Sequence, residues 1–493
     1  MLRDLSDSSL LKCKGFVDGK WINSARQERF AVRNPATSQR IAEVESLDAH
    51  DTRQAIAAAQ KAMPAWQALP ARERSAVLKR WFDLIMENQE DLALIMTAEQ
   101  GKVLAESRGE IAYAASFIEW FAEEGKRVYG DIIPAPQTDR RALVLKQPVG
   151  VVAAITPWNF PTAMITRKAA PALAVGCAIV IKPAAETPLS ALAIAELAQR
   201  AGLPAGLLNI VPTGHAKDVG DEMTQNPIVK KLSFTGSTPV GKMLMKQCAD
   251  TVKRTSMELG GNAPVIVFDD ANLEKAVAGA AGSKFRNSGQ TCICANRILV
   301  QAGIYDAFVE KLVETVGDYR LGNGRDKEST HGPLINPKAV ADVTALVEDA
   351  VAKGATIKIG GVHSTLGGCF FEPTVLTDVN QTMRLAREEI FGPVAPIFKF
   401  ETEAEAIALA NDTEFGLASY VYTRDIGRVW RVAEGIEYGM VGVNETAITS
   451  DVIPFGGVKE SGQGREGSKY GLDDYLEMKY VCMGDLNAYD VAP

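Results

Sequence analysis

A chain of 493 residues, 46% hydrophobic and 23% charged, suggests about three structural units and buries a large core without covalent staples. Its net charge of −8 argues against a nucleic-acid surface, which needs clustered basic charge. Seven cysteines, an odd number scattered along the chain, do not read as a disulfide framework and point to a reducing compartment.

The N-terminus, Met1-Leu2-Arg3-Asp4-Leu5-Ser6, lacks the apolar core of a signal peptide, and its acids are unlike a transit peptide. No run approaches the ~18 apolar residues of a membrane span, so a cytoplasmic location is expected. Apolar spacing predicts helices over 51–63, 71–99 and 104–126. Beyond them, Val151–Ile155, Ala178–Ile181, Leu207–Val211 and Lys231–Phe234 read as strands, with helices over 187–200 and 239–248. A second series of strands follows Gly261: Val265–Phe268, Ile298–Gln301, Thr356–Ile359, Ala395–Phe400, Ser419–Tyr422 and Val441–Val443. This alternation predicts two α/β units with parallel sheets. Segment 130–147 stands outside it; Ala142–Lys146 is strand-like after a turn-rich stretch, and a surface hairpin is one reading.

Several local patterns suggest chemistry. After the Lys231–Phe234 strand, Thr235-Gly236-Ser237-Thr238-Pro239-Val240-Gly241 opens a helix; Ser237 or Thr238 can cap it, and Pro239 suits its first turn. Such an end attracts phosphate, although no G-x-G-x-x-G fingerprint is present and a capped structural helix explains the pattern equally. Lys182 ends a strand, where α/β proteins bind ligands. Cys292, behind Phe285-Arg286-Asn287-Ser288-Gly289-Gln290-Thr291, is a candidate nucleophile or a structural thiol. Asn159 offers an amide donor or a turn residue, and Glu258 a base or a solvated carboxylate.

Taken in order, the chain resembles the aldehyde dehydrogenase superfamily over roughly residues 15–485. The motifs are Pro157-Trp158-Asn159-Phe160-Pro161, Phe234-Thr235-Gly236-Ser237, Glu258-Leu259-Gly260-Gly261, Cys292 with its loop, Glu389-Ile390-Phe391-Gly392-Pro393 and Pro454-Phe455-Gly456-Gly457. The resemblance implies an α/β fold of two Rossmann-like open-sheet domains plus a small β oligomerisation arm. The cofactor domain would comprise 1–129 and 148–258, the catalytic domain 259–475, and the arm 130–147 and 476–493, with Leu476–Met483 as the tail strand. A homo-oligomer, a dimer or a dimer of dimers, is implied.

By the same resemblance Cys292 is the nucleophile, Asn159 and the Cys292 N–H hold the oxyanion, Glu258 is the general base, and Lys168 and Glu466 relay protons. No metal is expected. Ile155, Trp158, Lys182, Ala185, Gly236, Ser237, Gly241, Leu259, Glu389 and Phe391 would contact the cofactor. NAD-preferring relatives often carry a glutamate three places after the lysine matching Lys182. Here that place is Ala185, with Glu186 one later and expected to point elsewhere; Lys182 without its acidic neighbour favours NADP, while a small backbone shift could bring Glu186 back and leave NAD in use.

Within the superfamily the chain looks closest to succinate-semialdehyde dehydrogenases, through Met164-Ile165-Thr166-Arg167-Lys168, Lys284-Phe285-Arg286-Asn287, Cys292-Ile293-Cys294-Ala295-Asn296-Arg297 and Gly464-Arg465-Glu466-Gly467-Ser468-Lys469-Tyr470-Gly471. The resemblance gives Arg167 and Arg286 the substrate's distal carboxylate, a role suited to a planar cationic fork; structural ion pairs are the alternative. Phe455 would line the same pocket. Relatives place a serine five residues before Pro454, where this chain has Thr449 followed by Ser450. Succinate semialdehyde comes first and GABA degradation is the implied pathway. Glutarate semialdehyde is one methylene longer, a difference worth only ~1–3 kcal/mol. Glu258 points to hydrolysis rather than acyl transfer to coenzyme A. Cys294 is implied as a redox partner of Cys292. A non-catalytic protein of the same fold would have lost Cys292, Glu258 or Asn159. A cysteine hydrolase would need a histidine partner, and His50, His215, His331 and His363 fall in no recognisable motif.

Overall fold

The computed structural model describes residues 2 and 4–486. Asp48 accepts from the N–H groups of His50 and Asp51, and Asp51 accepts from the Asp48 N–H, a capping box that starts helix Ala49–Gln67. Helices Ala71–Glu87, Gln89–Gln100 and Leu104–Glu124 follow. The single helix expected over 71–99 is broken at Asn88, whose amide turns back to donate to the Leu84 carbonyl at 2.8 Å.

The first sheet has eight strands, in the order Gly462–Gln463, Arg254–Glu258, Val229–Thr235, Val151–Ile155, Ala178–Lys182, Leu208–Ile210, Gly15–Val17 and Lys20–Ile22. The five from Arg254–Glu258 to Leu208–Ile210 run parallel. Helices Ala163–Val175, Pro188–Arg200, Ala216–Gln225 and Thr238–Ala249 connect them, and Val151–Ile155 is buried throughout, as expected for a sheet covered on both faces. The strand Arg254–Glu258 and the Gly15–Ile22 hairpin were not expected. The former reads Arg-Thr-Ser-Met-Glu and offers no apolar run.

The second sheet has seven strands, in the order Thr356–Ile359, Thr374–Thr377, Val394–Phe400, Ala295–Gln301, Ala263–Val267, Ala418–Tyr422 and Met440–Val443. Of these only Thr374–Thr377 was missed; it is a four-residue strand reached after a glycine-rich loop. The chain then crosses back. Gly462–Gln463 pairs antiparallel with Arg254–Glu258, and Leu472 and Tyr475 join the core of the first sheet. Leu476–Met483 pairs antiparallel with Arg141–Pro148, from Leu476↔Pro148 to Met483↔Arg141, and Asp131–Ile133 adds a third strand. The expected arm's final stretch, 487–493, lies outside the described residues. Among the described residues no helix is long and apolar enough to cross a membrane.

Candidate active site

A cavity of about 250 Å³ opens where the carboxyl ends of the first sheet's parallel strands meet the Cys292 loop, the place where open α/β sheets bind ligands. The loop follows helix Leu273–Phe285 and turns through three consecutive left-handed residues: Asn287 (φ 51°), Ser288 (φ 54°) and Gly289 (φ 76°). For a non-glycine residue that conformation costs about 1–3 kcal/mol, so the surroundings must hold it. Glu106 accepts from the Asn287 N–H at 2.7 Å, the Gln100 amide donates to Asn287 Oδ1 at 3.0 Å, and Asn287 Nδ2 donates to the Asn159 carbonyl at 3.1 Å. A Cβ on Gly289 would stand 2.2 Å from the Gly392 carbonyl oxygen, and one on Gly261 2.3 Å from that of Cys292. Only glycine fits either place.

Cys292 is half-buried in the cavity wall; Cys294 is buried, directs its thiol to the Gly289 carbonyl at 3.3 Å, and lies 3.8 Å from Lys284 Nζ. Both thiols are free. Burial pushes the Cys292 thiol up, Glu389 adds to this, and Arg167 opposes it.

Asn159 Nδ2 donates to the Gln290 carbonyl at 3.0 Å, which uses one of its two amide hydrogens and leaves the other for an oxyanion. The Asn159 carbonyl accepts from Lys102 Nζ at 2.8 Å, and Lys102 also pairs with Glu110 at 2.6 Å. Glu110 in turn accepts from the N–H groups of Thr162 and Ala163, where helix Ala163–Val175 begins. Gln100, Lys102, Glu106 and Glu110 thus tie the Asn159 and Cys292 loops to the helical layer. Sequence reasoning missed all four: Gln100 ends one helix and Lys102 lies in the short link to the next, Glu106 and Glu110 lie inside helix Leu104–Glu124, and no motif marks any of them.

Glu258 ends its strand with both carboxylate oxygens buried and unpartnered. Burial and the neighbouring Glu466 hold its pKa well above the ordinary carboxylate range, against the pull of Arg167 and Lys168. Glu466 itself is held low by Lys168, 2.5 Å away, and by Arg167. Lys168 and Glu466 sit behind the cavity wall.

The buried Arg167 lines the cavity, with its guanidinium 4.1 Å from the Phe455 ring and its Nη2 without a partner. Arg286 lines the cavity from an exposed position 5.1 Å from the Phe160 ring, and its guanidinium forms no ion pair among the described residues. Thr449 lines the wall too; Ser450 does not, because its hydroxyl turns away to Asp451 at 3.0 Å. Tyr113 and Met164, which the motifs did not single out for the substrate, complete this side.

At the other side Trp158 meets Phe391 edge-on at 5.5 Å, and Glu389 accepts from the Gly261 N–H at 3.0 Å, its carboxyl raised to about 7 by burial. Gly236, Ser237 and Leu259 line the cavity beneath helix Thr238–Ala249. Gly241 packs on Leu259, where a Cβ would come within 2.4 Å, and Ile155 ends the adjacent strand. The expected hydroxyl cap does not form: neither Ser237 nor Thr238 bonds to the helix's N–H groups, and Thr238 Oγ1 donates to Glu460 instead. The uncapped N–H groups suit a pyrophosphate. Lys182 is buried, lowered to about 8 by desolvation and partly restored by Glu186; it donates to the Pro183 carbonyl at 3.2 Å. Ala185 and Glu186 line a second cavity of about 420 Å³, and Glu186 stays within electrostatic reach of Lys182 rather than pointing clear of it. Among the described residues no cluster of His, Cys, Asp or Glu is arranged to hold a metal.

Two α/β units meet at a cavity that brings together a thiol, a buried carboxylate and an uncapped helix end. The chain belongs to the aldehyde dehydrogenase family, whose model matches residues 21–481, and this family works with NAD(P) on small aldehydes. It is 59% identical to a Pseudomonas aeruginosa glutarate-semialdehyde dehydrogenase over 98% of this chain and 100% of the relative. It is also 59% identical to the NADP(+) succinate-semialdehyde dehydrogenase GabD of Escherichia coli, over 97% of this chain and 99% of that one. A crystal structure of a succinate-semialdehyde dehydrogenase from Burkholderia pseudomallei superposes with a TM-score of 0.97 at 57% identity, covering 98% of this chain and 100% of the other.

Proposed function

We propose that this enzyme oxidises succinate semialdehyde to succinate with NADP and water. The observation that carries the substrate is the pair Arg167 and Arg286, on the same cavity as Cys292, each with guanidinium hydrogens left free for a carboxylate. Cys292 attacks the aldehyde carbon, and the carbonyl electrons move to an oxygen held by the spare Asn159 hydrogen and the Cys292 N–H. Ser237, Trp158, Glu389 and Phe391 would hold NADP, which when bound would accept the hydride that leaves the former aldehyde carbon as the oxyanion collapses to a thioester. Glu258 then takes a proton from water as its oxygen attacks the thioester carbon, and the C–S bond breaks with its electrons returning to Sγ. Lys168 and Glu466, beside that base, relay its proton and set the charge around it. Free thiols favour a cytoplasmic setting, and a GABA-degrading one would follow from the succinate-semialdehyde reading.

The cofactor choice rests on Ala185, which stands where NAD-preferring relatives often carry a glutamate; Glu186, beside it on the same cavity and in reach of Lys182, is the group that would keep NAD in use. Exposed Ile132, Met478 and Tyr480 on the arm favour its burial between copies of the chain, as a dimer of dimers. Glutarate semialdehyde is the second substrate reading, favoured by the Pseudomonas relative's name. A panel of semialdehydes of three to six carbons beside butanal, each with NAD and NADP, tests the proposal. The highest kcat/KM falls on succinate semialdehyde with NADP; a maximum on butanal overturns it, and one on glutarate semialdehyde replaces the substrate.

A further inference from the structure

The strands that end at Thr235 and Glu258 share an unusual face. Strands covered on both sides are usually apolar runs. In Val229–Thr235 and Arg254–Glu258, however, alternate residues on one face are polar: Lys231, Ser233 and Thr235 stand in register with Arg254, Ser256 and Glu258. Lys231, Ser233, Ser256 and Glu258 are each no more than 3% exposed.

This polar file has an inner and an outer end. At the inner end both Glu258 oxygens and the hydroxyls of Thr235 and Ser233 lack a hydrogen-bond partner, Ser233 only reaching towards the Tyr475 hydroxyl. Buried hydroxyls of this kind are normally satisfied by ordered water. At the outer end Lys231 Nζ donates to Ser256 Oγ, and Ser256 Oγ donates to Asp474 Oδ2 at 2.8 Å, with Asp474 half-buried at the surface. The Tyr475 ring covers Lys231 at 4.9 Å, and Arg254, Lys168 and Glu466 are the other charged groups facing it.

Hydrolysis creates a need for such a path. Thioester and water give a carboxylate, the thiol and one proton. Water's oxygen bonds to the acyl carbon, its proton passes to Glu258, and the C–S bond breaks. Glu258 must then shed that proton from a position 2% exposed, while the cavity holds product and cofactor.

We infer that the file is a further exit for the proton, beside the Lys168–Glu466 relay that the family resemblance implies: from Glu258 past Ser233 and Ser256, through ordered water, to the buried Lys231 and on to Asp474 at the surface. The inference rests on Glu258 being the base. Burial lowers Lys231 to about 8, so its ammonium exchanges protons readily near neutrality.

Rapid-quench single turnovers of the full-length enzyme with NADP and succinate semialdehyde test it, because they separate the burst of reduced cofactor from acyl-enzyme decay. In Ser256→Ala, Asp474→Asn and Lys231→Met the burst is retained and decay slows roughly tenfold, less than the ~10²–10⁴-fold of a general base itself. The solvent deuterium isotope effect on decay rises, and imidazole restores part of the rate in Asp474→Asn, which a merely structural defect would not permit. Wild-type decay in both Ser256→Ala and Asp474→Asn overturns the exit path. Glu258→Gln is run alongside. Stalled decay there, with normal decay in the other variants, rejects the path alone; normal decay in Glu258→Gln removes the base and the path with it.

Discussion

Arg167 stands 2.9 Å from Glu466, so the buried guanidinium that faces the substrate cavity also anchors the carboxylate beside the base. Arg286 has no such second duty. Arg286→Ala is expected to lower kcat/KM for succinate semialdehyde by ~1.5–3 kcal/mol, the worth of a charged hydrogen bond, and to leave butanal nearly unchanged. Arg167→Ala is expected to damage both substrates, and succinate semialdehyde more. Equal losses for the two substrates in Arg286→Ala would show that it does not bind the carboxylate.

Glu258→Gln should keep one hydride transfer per site and stall afterwards, leaving a stoichiometric burst. Glu258 and Cys292 are both pushed towards their protonated forms by burial, and both act ionised. A raised pKa means a smaller ionised fraction at a given pH, which grows as pH rises. Turnover should therefore climb from neutral to mildly alkaline pH. A profile that peaks on the acid side would contradict the assignment.

Ala185→Glu should shift preference from NADP towards NAD, since an acid there repels a 2′-phosphate and accepts from the ribose hydroxyls. The ratio of kcat/KM values for the two cofactors reads this out. A wild-type preference for NAD would refute the premise before any variant is made.

Cys294 lies two residues beyond Cys292 and is buried against the Gly289 carbonyl and Lys284. Mild peroxide should inactivate the enzyme through a Cys292–Cys294 disulfide, and a thiol reductant should restore it. Cys294→Ala should resist peroxide or lose the reversibility as Cys292 oxidises further. Non-reducing peptide mass spectrometry that finds both thiols free in inactivated enzyme would dismiss the switch.

Val151–Ile155 was legible from its own apolar run, whereas Leu476–Met483 falls where only the family resemblance placed a tail strand. Arg254–Glu258 was not, because its polar residues answer to the strand beside it rather than to a local pattern. The motif residues Cys292, Asn159, Glu258, Trp158 and Phe391 come together on one cavity. Ser450 does not join them, since its hydroxyl is satisfied by its own neighbour Asp451. Lys102 and Glu110 stayed invisible for the opposite reason. Their partners are a carbonyl and N–H groups some fifty residues away, and no residue type announces such a contact.

The bonds from Gln100, Lys102, Glu106 and Glu110 to the two catalytic loops also bear on how the enzyme fails. The left-handed turn before Cys292 is held from outside, by a layer of helices whose own edge is solvent-facing. Warming that loosens this layer releases the turn while both sheets remain folded. Heat inactivation should then precede the loss of circular dichroism, and a bound ligand that bridges Asn159 and Cys292 should delay the first event more than the second.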